Sequence, residues 1–540
     1  MPKYIFIVGG VMSGVGKGIV SASLGKLLQS RGYKVTATKI DPYVNVDAGT
    51  MNPIEHGEVF VLNDGKECDQ DMGNYERFLN TSLSGDSYMT TGSVYQTVIN
   101  KERNLEYKGK CVEVVPHIPL EVIEKINNAT KKEKAEIVIT EIGGTVGEYQ
   151  NILFLEAVRI LKHQHPGDVL LILVSYLPFQ SHEGELKTKP TQYAVRTINS
   201  AGLQPDIIVA RAKVALDEKR KEKIAFNCNI NGSDVISAPD VESIYTVPIG
   251  FEKEGLTDNV LKKLNLKSKT KDLTDWKNLV SNINSAKKVA KIGVVGKYFT
   301  TGKFVLADSY ISVIEAIKHA CYEQKLKPEI TWINAEDFEK NKSNLKQLND
   351  FNGVIVPGGF GKRGTEGKIL AIQYLRENKI PFLGLCYGMQ MATIEFARHV
   401  ANMYDANTSE IDPKSKHMVI DIMEEQKKKL KNKDYGGTMR LGAYPAVLKK
   451  DTIANKAYGE EKISERHRHR YEVNPQYIKK LEDKGLIFSG MSPNGQLTEI
   501  IELSEKEHPF FLATQFHPEF LSKPLNPHPL FREFIKKSVK

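Results

Sequence analysis

The sequence predicts an α/β protein of two domains built on largely parallel sheets. Three observations carry this. Short β-branched runs alternate with longer helical stretches along the whole chain, the pattern of strands joined by crossover helices. Those runs are apolar without strict alternation, as strands covered on both faces are. The length, 540 residues, exceeds what one hydrophobic core ordinarily serves. In the first half, strands are expected over 4–8, 34–40, 136–140, 169–174, 207–210 and 235–237. The lysine-crowded, weakly periodic stretch 262–290 reads as a solvated linker helix. Beyond it a second βα series begins with a strand over 291–295. A helix over 308–320 follows, with Ile311, Ile314 and Ile317 on one side. The expected division is a first domain over 1–265, a linker over 266–290 and a second domain over 291–540.

Composition removes several classes. At 41% hydrophobic and 26% charged residues, the chain is neither disordered nor collagen-like. Its longest core-like run, 169–174, is far short of the ~20 apolar residues of a membrane span. The first residues run directly into a strand pattern, so no signal peptide is expected. The cysteines Cys68, Cys111, Cys228, Cys321 and Cys386 form no close pair, which favours a reducing, cytoplasmic setting. The net charge is +9, but residues 1–270 hold 32 basic and 33 acidic side chains and the remainder holds 43 and 33. A nucleic-acid track is therefore not expected. The basic surplus, including the stretch 427–433, reads as exposed surface.

The first chemistry lies in Gly9-Gly-Val-Met-Ser-Gly-Val-Gly-Lys-Gly18, set between a strand and a helix running to about Gln29, with Gly32 as its C-cap. Strand, glycine loop, lysine and helix is the context of a phosphate-binding loop. Lys17 would reach the terminal phosphates. The spacing from Gly10 to Gly16 is one residue longer than usual, and Gly18 replaces the Ser or Thr that ordinarily touches Mg²⁺. Metal ligands are then expected elsewhere, with Asp69, Asp71 and Glu141 as the acid candidates.

The second chemistry lies in Gly384-Leu-Cys-Tyr-Gly388, the spacing of a nucleophile elbow with Cys386 as nucleophile. Gly358 and Gly359 end an upstream strand, and their N–H groups, with that of Tyr387, could form an oxyanion hole. His517 and Glu519 in Gln515-Phe-His-Pro-Glu519 would face the same way in an extended segment. Glu519 would then orient His517 for proton exchange with Cys386.

Gly384-Leu-Cys-Tyr-Gly-Met-Gln390 with Phe516-His-Pro-Glu519 resembles the class I glutamine amidotransferases. Lys39-Ile-Asp-Pro-Tyr-Val-Asn-Val-Asp-Ala-Gly-Thr-Met51, His56-Gly-Glu-Val-Phe60, Asn74-Tyr-Glu-Arg-Phe78, Glu141-Ile-Gly-Gly-Thr-Val-Gly147, Lys187-Thr-Lys-Pro-Thr-Gln192 and Arg466-His-Arg-His-Arg-Tyr-Glu-Val-Asn474 resemble the CTP synthase family along essentially the whole chain. The resemblance implies a P-loop-type parallel-sheet amidoligase domain followed by a class I glutaminase domain. The implied reaction is ATP-dependent amination of UTP to CTP through a 4-phospho-UTP intermediate, using ammonia channelled from glutamine hydrolysis.

Residue by residue, it implies ATP contacts at Ser13, Gly14, Val15, Gly16, Lys17, Gly18, Asp71, Asp240 and Val241, and Mg²⁺ at Asp71 and Glu141. For UTP or CTP it implies Ser13, Glu148, Tyr149, Gln150, Lys187, Thr188, Lys189, Pro190, Thr191, Gln192 and Lys223. Lys187 and Lys189 would share one face of an extended strand. Glutamine would meet Gly359, Tyr387, Gly388, Met389, Gln390, Glu410 and Arg470. The segment 436–442 resembles a lid linked to activation by GTP, with Arg440 a contact there. CTP feedback and a homotetramer belong to the same implication, which leaves filament formation by such tetramers open. One departure is Pro239, which stands where relatives commonly carry Lys or Arg and has no side-chain donor. Two rival readings remain at this point: another glutamine-dependent amidoligase acting on a carboxylate, and a P-loop switch without turnover.

Overall fold

The computed structural model describes residues 2–180, 185–297, 300–301, 304–305, 307–422 and 439–539. The chain forms two compact units, Met1–Ala48 with Asp71–Val280 and Gly49–Gln70 with Ser281–Lys540. The expected domain limits differ from these in two ways. Segment Gly49–Gln70 leaves the first half of the sequence and joins the second unit. The stretch expected as a solvated linker contains the helix Thr274–Ser285, whose Trp276 is fully buried. Its ring stands 5.1 Å from that of Phe78 and 6.0 Å from that of Tyr245, and its indole N–H donates to the Tyr245 carbonyl at 2.8 Å. The crowd of lysines masked this anchor, because one tryptophan and one leucine bury a helix that reads as polar.

The first unit holds a seven-stranded sheet in the order Val235–Pro239, Ile207–Ala212, Val169–Tyr176, Lys3–Gly10, Ile137–Ile142, Val35–Asp41, Tyr88–Thr90. Every pairing is parallel. Six of these strands overlap the expected ones. The seventh, Tyr88–Thr90, is too short to leave a pattern. Both faces are covered: the helix Lys17–Ser30 lies over one, and Val114–Lys132, Ile152–Gln164 and Lys189–Ser200 supply apolar side chains to the main core with Phe6, Val8, Leu171 and Leu173. With all strands parallel, their C-terminal ends share one edge, where loops gather ligand groups.

The second unit holds a nine-stranded sheet. Leu326–Asn334, Lys288–Gly296, Gly353–Val356, Phe382–Leu385 and Phe511–Thr514 are parallel neighbours. Thr498–Glu502, Ile487–Met491, Arg440–Leu448 and Lys462–His469 extend it antiparallel. Alternation along strand Gly353–Val356 builds two cores. Val354 and Val356 join the core that includes helices Thr365–Glu377 and Tyr387–His399, and Ile355 joins that of Ile311–Glu323 and Pro529–Ser538. Residues 423–438, which include the lysine stretch 427–433 and the start of the GTP-linked segment, lie outside the described residues.

Candidate active sites

In the first unit the glycine loop leads from strand Lys3–Gly10 to helix Lys17–Ser30, with Gly16 as N-cap at φ 91°. Ser13 and Gly14 are exposed and Val15 turns its side chain inward. Lys17 is buried and donates to the Gly144 carbonyl at 2.6 Å. Burial lowers its pKa, against the nearby Glu141 carboxylate.

The missing Ser or Thr after the lysine has a steric cause. A Cβ on Gly18 would stand 2.0 Å from Asp71 Oδ1. Asp71 occupies the place a hydroxyl-bearing side chain would need. Lys39 Nζ then donates to Asp71 Oδ2 at 2.5 Å and to Glu141 Oε1 at 2.8 Å. Tyr75 donates to the other Glu141 oxygen. Burial, reinforced by Asp71, raises the Glu141 pKa. For Asp71 the pull of burial is outweighed by Lys39 and its pKa is lowered. The two carboxylates expected at Mg²⁺ thus converge on one cationic centre. Hard oxygen donors of this kind suit Mg²⁺ when phosphate oxygens complete its shell. Among the described residues no cluster of three or more His, Cys, Asp or Glu could hold a metal unaided. Asp69, the other acid candidate, falls in the second unit, with His56 at 3.9 Å.

The other residues expected at nucleotides follow strands Ile137–Ile142 and Val169–Tyr176 or, for Lys223, lie within helix Glu218–Cys228. Glu148 accepts from the Thr145 N–H at 2.7 Å and from Gln150 at 2.8 Å, while Tyr149 is 90% exposed. The idea of Lys187 and Lys189 on one strand face is overturned. Lys187 follows the short strand Glu185–Leu186, and Lys189 opens the helix Lys189–Ser200. Pro190 in the first turn favours helix there, and its weight was missed. Thr188 caps that start, Gln192 donates to the Thr188 hydroxyl at 3.1 Å, and Thr191 pairs with Ser175 at 2.8 Å. Lys187 donates to Glu185 at 2.9 Å. That bond, with Lys223 and Arg220 nearby, holds the Glu185 carboxyl below its usual range, so Lys187 and Lys223 do share a neighbourhood.

At the far edge, Asp240 and the exposed Val241 follow Pro239. Arg211, which sequence reasoning missed, stands beside this segment. Its guanidinium donates to Asp240 Oδ1 at 3.0 Å, and its Nε would lie 3.7 Å from a Cβ on Gly16. Lys39 was also missed as a functional group. A charged residue near the end of a wholly buried strand was the available signal.

In the second unit, strand Phe382–Leu385 turns into helix Tyr387–His399 at Cys386, which sits at φ 50° and is buried. A non-glycine residue in that left-handed region costs roughly 1–3 kcal/mol and needs tight surroundings. They are present: a Cβ on Gly384 would meet Ala513 Cβ at 2.8 Å, and one on Gly388 the Val356 carbonyl at 2.1 Å. The Cys386 sulfur donates to the Arg468 carbonyl at 3.8 Å and accepts from Gln515 at 3.6 Å. A Cβ on Gly358 would stand 3.1 Å from His517 Cε1 and 3.9 Å from Cys386 Cβ, so the three surround one point.

His517 Nδ1 and Glu519 Oε1 are 2.7 Å apart. The pairing is the expected one, but the backbone is not extended. Pro518 starts a 3₁₀ turn, Pro518–Leu521, and His517 caps it. Burial would lower the His517 pKa; Glu519 and then Cys386 prevail and push it up to about 10.

A cavity of about 620 Å³ opens here, lined by Gly358, Gly359, Cys386, Tyr387, Gln390, Glu410, Arg470 and His517, among others. Glu410 accepts the Gly361 N–H at 2.7 Å, and Gln390 donates to the Tyr471 carbonyl at 3.1 Å. Gly388 and Met389 do not line this cavity. The Met389 side chain is fully buried in the core and its N–H is spent on the Cys386 carbonyl at 3.0 Å. Both belong to the inward face of a helix whose first turn alone meets the cavity.

Segment Gly49–Gln70 supplies Gly49, Met51, Glu58 and Val59 to the wall. Strand Lys462–His469 holds it. Arg466 donates to Asn63 at 2.6 Å and Arg468 to Glu67 at 2.8 Å. The alternate residues His467 and His469 face inward, where burial drives both pKa values well down. Arg440 corrects a further expectation. It is buried, donating to Glu499 at 2.8 Å and Glu472 at 3.5 Å, so its charge is committed inside the unit.

Comparisons with known proteins match each half of the chain to a described family. A family model described as CTP synthase N-terminus matches residues 3–266, and one described as glutamine amidotransferase class-I matches 305–537. The chain is similar to a CTP synthase of Carboxydothermus hydrogenoformans, 53% identical over 100% of this chain and 99% of the relative. It is 50% identical to one of Prochlorococcus marinus, over 100% and 98%, and 49% identical to one of Geobacillus kaustophilus, over 100% of both. Among solved structures, the glutaminase domain of a Trypanosoma brucei enzyme with bound acivicin is 36% identical, covering 46% of this chain and 94% of that one at a TM-score of 0.43.

Proposed function

The chain belongs to the CTP synthase family, and we propose that it aminates UTP to CTP, as that family does, through the two sites described above. It is a ligase that spends ATP and takes its nitrogen from glutamine. The residue roles are our reading. Their strongest support is the convergence of Cys386, His517 and Gly358 on one point.

In the second unit Cys386 attacks the glutamine amide carbon. The N–H groups of Gly358 and Gly359, with no acceptor among the described residues, receive the developing oxyanion. His517, protonated and held by Glu519, gives its proton to the departing ammonia. Water then cleaves the glutamyl thioester. Glu410 suits the substrate ammonium and Arg470 its carboxylate. In the first unit Lys17 and the loop 13–18 cradle the ATP phosphates, with Arg211 and Asp240 beside them. Lys187, Lys223 and the start of helix Lys189–Ser200 meet the UTP phosphates. ATP phosphorylates O4 of UTP, which makes C4 electrophilic; ammonia attacks C4 and phosphate leaves. Ammonia must arrive unprotonated, so release at Cys386 has to be coupled to capture at C4. Asp71 and Glu141 would hold Mg²⁺, with Lys39 beside them; when bound, the ion would neutralise phosphate charge.

Activation by GTP, feedback by CTP near Glu148, Tyr149 and Gln150, a homotetramer and a cytoplasmic setting belong to this reading. Tyr149, 90% exposed beside the half-exposed Ile152, is the surface a second subunit would complete. Among the described residues no helix is long and apolar enough to cross a membrane.

The test is direct. Protein mixed with UTP, ATP, Mg²⁺, glutamine and GTP should give CTP absorbance. Cys386→Ala should lose glutamine-driven synthesis and keep synthesis from added ammonia. Glutamine-driven activity persisting in Cys386→Ala would remove the nucleophile assignment.

A further inference from the structure

The loop 357–361 between strand Gly353–Val356 and helix Thr365–Glu377 has four of its five carbonyl oxygens tied down by side chains. Lys368, with no exposed surface, donates to the Pro357 carbonyl at 3.1 Å. Tyr310 donates to the Gly358 carbonyl at 3.3 Å. Lys297, 4% exposed, donates to the carbonyls of Phe360 and, at 2.8 Å, Gly361. The two ammonium groups stand 5.1 and 5.0 Å from the centre of the Tyr387 ring, whose hydroxyl also donates to the Gly361 carbonyl at 3.0 Å.

A trans peptide is planar, so a carbonyl and the next residue's N–H point in opposite directions. Fixing one therefore aims the other. The loop contains an instance of this. Lys297 holds the Phe360 carbonyl, and the following N–H, that of Gly361, points at Glu410 Oε1 at 2.7 Å. By the same geometry, Lys368 aims the Gly358 N–H and Tyr310 aims the Gly359 N–H. Neither of those N–H groups has an acceptor among the described residues, and Gly358 abuts Cys386 and His517.

We infer that Lys368, Tyr310 and Lys297 are positioning residues of the glutaminase: the first two orient the oxyanion-binding N–H groups, and Lys297 orients the Gly361–Glu410 contact that holds the substrate ammonium. This rests on the reading of Cys386 as nucleophile. Burying two lysines in a unit with surface to spare calls for a purpose of this kind, because an ammonium is rarely taken fully out of water. Burial lowers both their pKa values, Lys297 to about 8. A lysine donates through N–H whether charged or neutral, so the loop keeps its anchors across the neutral range.

The assignment divides kinetically, because an oxyanion contact exists only in the transition state and an ammonium contact exists already in the bound substrate. Glutamine hydrolysis would be followed as glutamate release. Lys368→Met should lower kcat by about 10- to 100-fold with KM within about twofold, short of the 10²–10³ lost when an oxyanion donor is removed outright. Lys297→Met should raise KM by roughly 3- to 10-fold and move kcat less. Tyr310→Phe, a milder change that keeps the packing, should reduce kcat by several-fold at constant KM and serves if Lys368→Met does not fold. Ammonia-driven CTP formation on the same preparations reports folding. Equal changes in kcat and KM across the variants, or wild-type kcat in both Lys368→Met and Tyr310→Phe, would overturn the inference. Failure of the underlying reading would show separately, as glutamine hydrolysis surviving in Cys386→Ala.

Discussion

Replacing Glu519 by glutamine keeps the side-chain shape and an oxygen toward His517 Nδ1 but removes the charge. His517 is lifted from the 6.5 ordinary to imidazole up to about 10, against burial and chiefly by Glu519, with Cys386 adding to it. A hydrogen bond to a charged group is worth roughly 1.5–3 kcal/mol. At 1.36 kcal/mol per pH unit, taking the charge out of that bond should bring the imidazole down by about one to two units. The assay is glutamate release against pH. In the wild type, His517 keeps the proton that the departing ammonia needs until pH approaches 10, so the alkaline limb of kcat/KM should lie there. In Glu519→Gln that limb should fall by one to two units. Stability follows the same linkage. A folded-state pKa raised above the unfolded value contributes fully below about pH 6.5, and the contribution is lost as pH rises through 10. The gap in urea midpoint between wild type and variant should be widest below pH 6.5 and narrow above it. Alkaline limbs that superimpose would refute the idea that Glu519 sets the protonation of His517.

Other consequences are as concrete. Lys17→Ala should abolish CTP formation from glutamine and from ammonia alike; robust ammonia-driven synthesis in that variant would remove the phosphate loop from the mechanism. Gly18→Ser restores the residue usual in such loops, yet its Cβ would meet Asp71 Oδ1 at 2.0 Å. It should cut ammonia-driven synthesis at least about tenfold through the displaced carboxylate, and an active Gly18→Ser enzyme would contradict the packing. Trp276→Ala should destabilise the first unit by about 3–5 kcal/mol, read as a lower urea midpoint, whereas a true linker residue would tolerate the change.

Local backbone chemistry made much of this protein legible in its sequence. Six strands of the first sheet are apolar runs, and the elbow at Cys386 announces itself through Gly384 and Gly388, which leave no room for a Cβ. What sequence hid were features decided by residues far apart in the chain. The Asp71 carboxylate explains Gly18, but the two are separated by a helix, a strand and the whole of segment Gly49–Gln70. Lys39 gains meaning only between Asp71 and Glu141. Lys368 and Lys297 look like surface lysines until the carbonyls of loop 357–361 are seen around them. The expectation for Lys187 and Lys189 fails for a local reason, since Pro190 turns the chain into a helix where a strand was assumed.

The segment Gly49–Gln70 makes the chain cross between its units after Ala48, after Gln70 and after Val280. No single break in the gene can therefore part the two reactions cleanly. A glutaminase cut out at Ser281 would leave Arg466 without Asn63, Arg468 without Glu67, and the Ser312 N–H without the Glu58 carboxylate it meets at 3.1 Å. Recombination that exchanges one half for a relative's would pair these arginines with a foreign loop. Inherited variants at Glu58, Asn63 or Glu67 belong, by position in the gene, to the synthetase, and by phenotype they should be sorted with the glutaminase.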